Sequence, residues 1–132
     1  MIDINGYLNE VKIRLATSTV IAKIETVTER TAGDRGYFRA RLSLANGDFL
    51  EISEYFVIHG HQPKTLEYRY QWMDAAKQKL ICRWDNAPHF PELPQFPDHI
   101  HLGDEQQVAP GQALSILGLI DLIEQKLANA GQ

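Results

Sequence analysis

Three of the chain's five histidines fall inside one short string, D-N-A-P-H-F-P-E-L-P-Q-F-P-D-H-I-H at 85–101. His89, His99 and His101 are interleaved there with Asp85, Asn86 and Asp98. Histidine is the side chain whose ordinary pKa lets it give and take a proton near neutrality. A neighbouring carboxylate can orient its ring. Arg83 lies just upstream and Arg69 earlier, and a guanidinium fork suits a phosphate. Together these types supply what a metal-independent ribonuclease needs: a base, an acid, and a cation for the charge on the phosphorane. Arg83, Asp85, His89, His99 and His101 are the candidate catalytic residues. Arg39, Arg41 and Arg69 are the candidate substrate-binding residues. The plainer alternative is that Arg39, Arg41, Arg69 and Arg83 pair with Glu51, Glu67 and Asp85 on a solvated sheet face.

Other chemistries have weaker grounds. His59-Gly60-His61 and His99-Ile100-His101 are both H-x-H, and alternate residues of an extended chain point the same way, so each pair can bite one ion. Nothing in the sequence brings the two pairs together, so the expectation is no metal ligand and no cofactor. There is no G-x-x-x-x-G-K and no G-x-G-x-x-G to cradle a phosphate. Cys82 reads as a buried hydrophobe rather than a nucleophile. Tyr68, Tyr70, Trp72 and Trp84 could stack bases, but a set on one face beside Leu66 and Leu80 reads first as core.

The segment that must carry the histidines is unusual. Pro88, Pro91, Pro94 and Pro97 recur every third residue. Polyproline II has three residues per turn, so the spacing predicts an extended left-handed ribbon with its prolines along one edge. Its φ angles are fixed before folding, which holds polar groups at low entropic cost. Whether this ribbon lies over a sheet decides whether its histidines meet the arginines.

The rest of the chain supplies that sheet. A chain of 132 residues with 44% hydrophobic and 23% charged content reads as one domain, 1–132, with a real core. A net charge of −4 argues against a general nucleic-acid binder, so any RNA contact must use a local basic patch. One cysteine excludes an internal disulfide. No stretch reaches the ~20 apolar residues of a membrane span, and the start M-I-D-I-N-G-Y lacks a signal-peptide layout. The expectation is a cytoplasmic protein with no membrane partner.

Ile4, Leu8, Val11 and Leu15 form one stripe of a helix over 4–16, capped by Asp3 or Asn5. Strands follow at 20–28, 37–44, 48–58, 66–72 and 79–85, with a loop at 59–63. Asn46-Gly47 marks a hairpin. A three-residue loop with Gly47 at the bulge sets Leu42 opposite Leu50 and Arg41 opposite Glu51, which pairs like with like. Phe38, Ala40, Leu42, Leu44, Leu50 and Ile52 then share the apolar face. The same test between the last two strands sets Trp72 opposite Leu80, Tyr70 opposite Cys82 and Arg69 opposite Arg83. Ile116, Leu119, Ile120, Ile123 and Leu127 stripe a last helix over 113–128, fraying at Asn129-Ala130-Gly131. The predicted class is α+β: a five-stranded antiparallel meander with both terminal helices on one face, and a Pro/His-rich extended segment before the second helix.

Three strings resemble the TumE-type toxins of prokaryotic toxin–antitoxin pairs: R-Y-Q-W-M-D (69–74), R-W-D-N-A-P-H (83–89) and F-P-D-H-I-H-L-G (96–103). Members share the terminal helices and the hairpin before an L-E-I-S-E-Y strand like that at 50–55, so the likeness covers nearly the whole chain. Members often carry P-H-H-x-H where this chain has Pro97-Asp98-His99-Ile100-His101; Asp98 replaces the first histidine. The resemblance implies a cognate antitoxin partner, a small DNA-binding protein encoded alongside. The expected function is a toxin acting on RNA or translation through an Arg/His face, with RNA and a second copy of the chain as further expected partners. The alternatives are a non-catalytic protein-binding module and a histidine-based metal-binding protein.

Overall fold

Asp3 starts the first helix as expected: its carboxylate accepts the Gly6 amide at 2.7 Å. The computed structural model describes residues 2–130. The elements run α1 (Ile4–Thr17), β1 (Ile21–Ala32), β2 (Arg35–Leu44), β3 (Phe49–His59), β4 (Gln62–Met73), β5 (Leu80–Asp85), β6 (His99–Leu102), β7 (Val108–Pro110) and α2 (Ile116–Ala130). Helix α2 continues through Asn129 and Ala130, where fraying was expected; Gly131 lies outside the described residues.

The seven strands form one sheet in chain order, each antiparallel to the next. The α+β meander with flanking helices is as expected, with two strands more than the five predicted. Both extra strands are short. Strand β6 is the His99–Leu102 string itself, and β7 ends on Pro110 at the sheet edge, where a missing N–H costs nothing. The loop expected at 59–63 shrinks to a two-residue turn at Gly60 and His61, both with positive φ, and Pro63 sits in β4 opposite Ile58.

Period-two alternation sorts the sheet into two faces. Phe38, Ala40, Leu42, Leu44, Leu50, Ile52 and Phe56 are buried against Tyr7, Leu8, Val11 and Leu15 of α1 and Ile116, Leu119, Ile120 and Ile123 of α2. Tyr68, Tyr70, Trp72, Cys82 and Trp84 extend the same core, so the aromatic set is core and not a base-stacking platform. Burial pushes the Cys82 thiol up to about 11, which removes it as a nucleophile at neutral pH. The helices are also tied to each other. Arg14 reaches Asp121 at 2.8 Å and also grips Glu124, which accepts the Ser18 hydroxyl at 2.7 Å.

One core-face position is polar. Glu54 is fully buried, between Ile52 and Phe56 in the alternation. It accepts the Tyr7 hydroxyl at 2.8 Å and the Thr65 hydroxyl, with the Ile116 backbone amide also directed at it. One carboxyl thus joins α1, β3, β4 and the start of α2.

The β2–β3 register is the predicted one, with Leu42 opposite Leu50 and Arg41 opposite Glu51. The β4–β5 register is not. Tyr70 faces Trp84, Trp72 faces Cys82 and Arg69 faces Asp85, with an irregularity between Trp72 and Met73. The shift is two residues, so every side chain keeps its predicted face. It replaces an Arg69–Arg83 pairing by an Arg69–Asp85 one, which removes the like-charge contact.

The proline segment is not an extended ribbon. Three i→i+3 hydrogen bonds close it into successive turns: Leu93 N to Phe90 O at 3.1 Å, Phe96 N to Leu93 O at 3.3 Å, and Asp98 N to Gln95 O at 3.1 Å. Polyproline II has no internal hydrogen bonds. Pro91 and Pro94 each occupy the second position of a turn, where a fixed φ is an advantage, and Gln95 has the positive φ that a type II turn places third. A three-residue proline period therefore suits turns laid end to end as well as it suits a ribbon.

Candidate functional site

The polar face is built in rows across the strands. Arg39, Ser53, Arg69, Asp85 and His99 stand opposite one another from β2 to β6. Arg41, Glu51, Gln71, Arg83 and His101 form the neighbouring row. The histidines therefore reach the arginine face because they are part of the sheet, two residues apart on β6 and pointing to one side.

Asp85 is the hub. Its Oδ1 lies 2.9 Å from His99 Nε2 and accepts the Ala87 amide at 3.0 Å. Its Oδ2 lies 3.2 Å from Arg83 Nε and 3.7 Å from His101 Nε2. All three of Asp85, His99 and His101 are buried, at 5%, 2% and 3% exposure. A buried carboxylate without partners would cost several kcal/mol, roughly; here an amide, a guanidinium and an imidazole surround it.

The far nitrogens of both rings are fixed. His99 Nδ1 lies 2.9 Å from the Pro97 carbonyl, and His101 Nδ1 lies 2.8 Å from the Glu105 carbonyl. A carbonyl can only accept, so each Nδ1 carries the hydrogen. For His101 this leaves the Nε2 lone pair turned toward Asp85, past hydrogen-bond distance from it. Burial holds the His101 imidazole below its ordinary pKa; the Glu105 carbonyl opposes this and the Arg83 charge adds to it. The neutral ring is favoured at physiological pH.

The turn segment supplies a cover. Phe90 packs edge-on against His99 at 5.0 Å and His101 at 5.9 Å between ring centroids. Asn86 ties the start of the segment to β4 through the Tyr68 amide at 3.1 Å and the Leu66 carbonyl at 2.8 Å. Asp98 ties its end by accepting the Tyr68 hydroxyl at 2.8 Å. The prolines thus place Phe90 over the imidazole pair.

In front of these groups lies an open cleft of about 880 Å³, bordered by Tyr55, Arg69, Arg83, His89, Phe90 and His101. Of the residues predicted from sequence, Arg83, Asp85, His99 and His101 come together in direct contact. His89 is exposed on the cleft rim and Arg69 is exposed on its floor. Arg69 has no carboxylate within ion-pair distance among the described residues; its Nη2 donates to Gln71 at 2.8 Å. Arg39 and Arg41 stand apart from the cleft and share Glu51, at 3.3 and 3.2 Å, as the plainer alternative expects. Arg83 is also paired, with Asp85 and with Glu105, whose carboxyl it holds below the usual range. The H-x-H at 59–61 takes no part: the turn at Gly60 holds it, and among the described residues the one ligand-type cluster is Asp85, His99 and His101.

Two contributors had little sequence signal. Phe90 was one apolar residue among prolines. Glu105 sits in the polar D-E-Q-Q string at 104–107, and it serves the site through both its carboxyl and its carbonyl. No helix among the described residues is long and apolar enough to cross a membrane.

The model of one protein family, described as Toxin TumE, matches residues 11–129. That span holds every strand, the Asp85–His99–His101 cluster and nearly all of α2. No curated protein and no solved structure matches the chain. The family match and the three sequence strings agree, and the span covers almost the whole chain: it belongs to the TumE toxin family.

Proposed function

We propose that this toxin, the partner of a cognate antitoxin, acts on RNA, and that its working site is the cleft above Asp85, His99 and His101. The observation that carries the reading is His101. Its Nδ1–H is held by the Glu105 carbonyl while its Nε2 stands unengaged beside the cleft. An imidazole held this way is placed to take a proton from an attacking hydroxyl. Arg69, without a carboxylate partner, is the natural contact for a phosphate entering the cleft, and Arg83 lies behind it. His89 on the rim is the candidate acid for the leaving oxygen.

The charge distribution supports a local contact rather than a broad one. The chain is acidic overall, and Arg39 and Arg41 are engaged with Glu51. A short stretch of backbone docking at Arg69 fits this better than a long duplex. A second copy of the chain is not required, since every group named belongs to one subunit.

The test is incubation of purified protein with single-stranded and structured RNAs. The reading expects strand scission that falls by about 10²–10⁴-fold in His101→Ala, the usual range for a lost acid or base. Intact RNA at every protein concentration, alongside retained toxicity in cells, would move the target away from RNA.

A further inference from the structure

Asp85, His99 and His101 present three electron-rich atoms to one another, and this carries a consequence separate from RNA chemistry. We infer that the Nε2 atoms of His99 and His101 and one Asp85 carboxylate oxygen form a binding site for a single divalent first-row transition ion, zinc being the species the donor set fits best.

The imidazole orientation is the first support. Both Nδ1–H groups are donated to backbone carbonyls, of Pro97 and of Glu105. That is the outer hydrogen bond that metal-ligating histidines make; it fixes the tautomer and leaves Nε2 as the donor atom. Two separate carbonyls do this for two rings that converge on one carboxylate.

Spacing is the second. All three ligand atoms lie within 4.8 Å of one another; His99 Nε2 is 2.9 Å from Asp85 Oδ1, and His101 Nε2 is 3.7 Å from the other oxygen, Oδ2. Around a tetrahedral zinc with bonds of about 2.0–2.2 Å, neighbouring ligand atoms stand roughly 3.4 Å apart. For one oxygen to serve both imidazoles at that spacing, the Asp85 carboxylate must turn between them. A proton is the rival occupant. It can serve the close His99–Asp85 pair, but it leaves His101 Nε2 unengaged; an ion serves all three.

The scaffold and the open side are the third. Two ligands come from alternate positions of β6 and one from the facing strand β5, so their separation is set by sheet geometry rather than by a loop. Gly111 lets β7 close on this strand: a Cβ there would meet the His99 backbone at 3.0–3.2 Å. Three protein ligands beside an open cleft is the pattern of a catalytic ion site, with a position left for water or substrate. His₂–carboxylate donors select transition ions over magnesium, which prefers an all-oxygen shell. The Arg83 guanidinium works against a cation here, offset by Glu105, so binding is expected to be weaker than in a closed structural zinc site.

This inference rests on donor geometry and stands apart from the RNA reading; with an ion bound, His101 Nε2 would no longer be free to accept a proton, and the ion would supply an ionisable water instead. The experiment is titration of chelator-stripped full chain with Zn²⁺, Co²⁺ and Mg²⁺ in parallel, followed by calorimetry, by cobalt absorption, and by long-range ¹H–¹⁵N NMR of the imidazoles. The expected result is one Zn²⁺ or Co²⁺ per chain and no saturation by Mg²⁺. The Nε2 signals of His99 and His101 should shift while both Nδ1–H are kept. His101→Ala should weaken binding by roughly 100-fold or more, since losing a ligand exceeds the usual cost of losing a supporting contact. The double variant His59→Ala/His61→Ala should bind as the wild type does. No saturable binding, or binding that leaves both Nε2 signals unchanged, overturns the site; the NMR readout needs no variant to fold. Binding without RNA cleavage keeps the site and retires the RNA reading, whereas cleavage by a stripped chain that binds no ion does the reverse.

Discussion

His99 Nε2 lies 2.9 Å from Asp85 Oδ1 across the β5–β6 ladder, where the two residues are direct cross-strand partners. This one pairing joins the two halves of the R-W-D-N-A-P-H and F-P-D-H-I-H strings that define the chain's family likeness. It also sets the depth of the site: both groups are almost fully buried, and between them in sequence the turns at 90–98 accompany Phe90, which covers the imidazoles.

On the RNA reading, Arg69 separates phosphate contact from fold. It is exposed and makes no carboxylate pair, so Arg69→Ala should change stability by no more than about 0.5 kcal/mol. Its effect on RNA binding should be larger, with a salt dependence shallower by roughly one counterion. Arg41→Ala, engaged with Glu51 away from the cleft, should leave both readouts near wild type. Fluorescence titration at several salt concentrations checks the pair.

Phe90 tests the cover. Phe90→Ala removes the ring packed on both imidazoles and opens His99 and His101 to water. The exchange of their imidazole C2 protons with deuterated solvent should accelerate clearly over wild type, while His59 and His61 exchange at unchanged rates. Mass spectrometry of the exchanged peptides reads this directly.

Glu54 should give the fold a pH signature. Burial raises its carboxyl above the ordinary value, against the lowering effect of the Thr65 and Tyr7 hydroxyls and the Ile116 amide. A raised folded pKa means a contribution that is whole below the unfolded value, about 4.3, and is lost as pH rises through the folded one. Because Gln does not titrate, urea unfolding should show wild type losing stability relative to Glu54→Gln as pH rises from about 4 to about 8. Glu54→Ala, which strands the Tyr7 and Thr65 hydroxyls, should cost about 2–4 kcal/mol.

Arg14 links the helices. Arg14→Ala leaves Glu124 with the Ser18 hydroxyl alone and should lower stability by about 1 kcal/mol, since the pair is partly exposed. Thermal unfolding in low and high salt should show the difference shrinking as salt rises.

Much of this was legible from alternation. Leu42–Leu50 and Arg41–Glu51 followed from matching like with like, and the core face followed from period two. The β4–β5 register was off by two because two-residue slips preserve both faces, and only the charge opposite Arg69 distinguishes them. Strands β6 and β7 were hidden because four and three residues carry too little pattern, and the first is half histidine. The proline period was ambiguous in itself: ribbon and consecutive turns both place proline at every third residue, and the choice rests on hydrogen bonds the sequence does not display. Of the candidate set Arg83, Asp85, His89, His99 and His101, all but His89 lie in direct contact, but the cover of the two imidazoles by Phe90 came from those turns and had no local signal.

The most direct measurement is growth arrest on induced expression of the chain without its antitoxin, comparing wild type with His101→Ala and Arg69→Ala at matched protein levels and with folding checked by thermal unfolding. If the cleft is the toxin's working site, both variants fold and growth resumes at close to the uninduced rate. Full growth arrest by both folded variants would contradict the account.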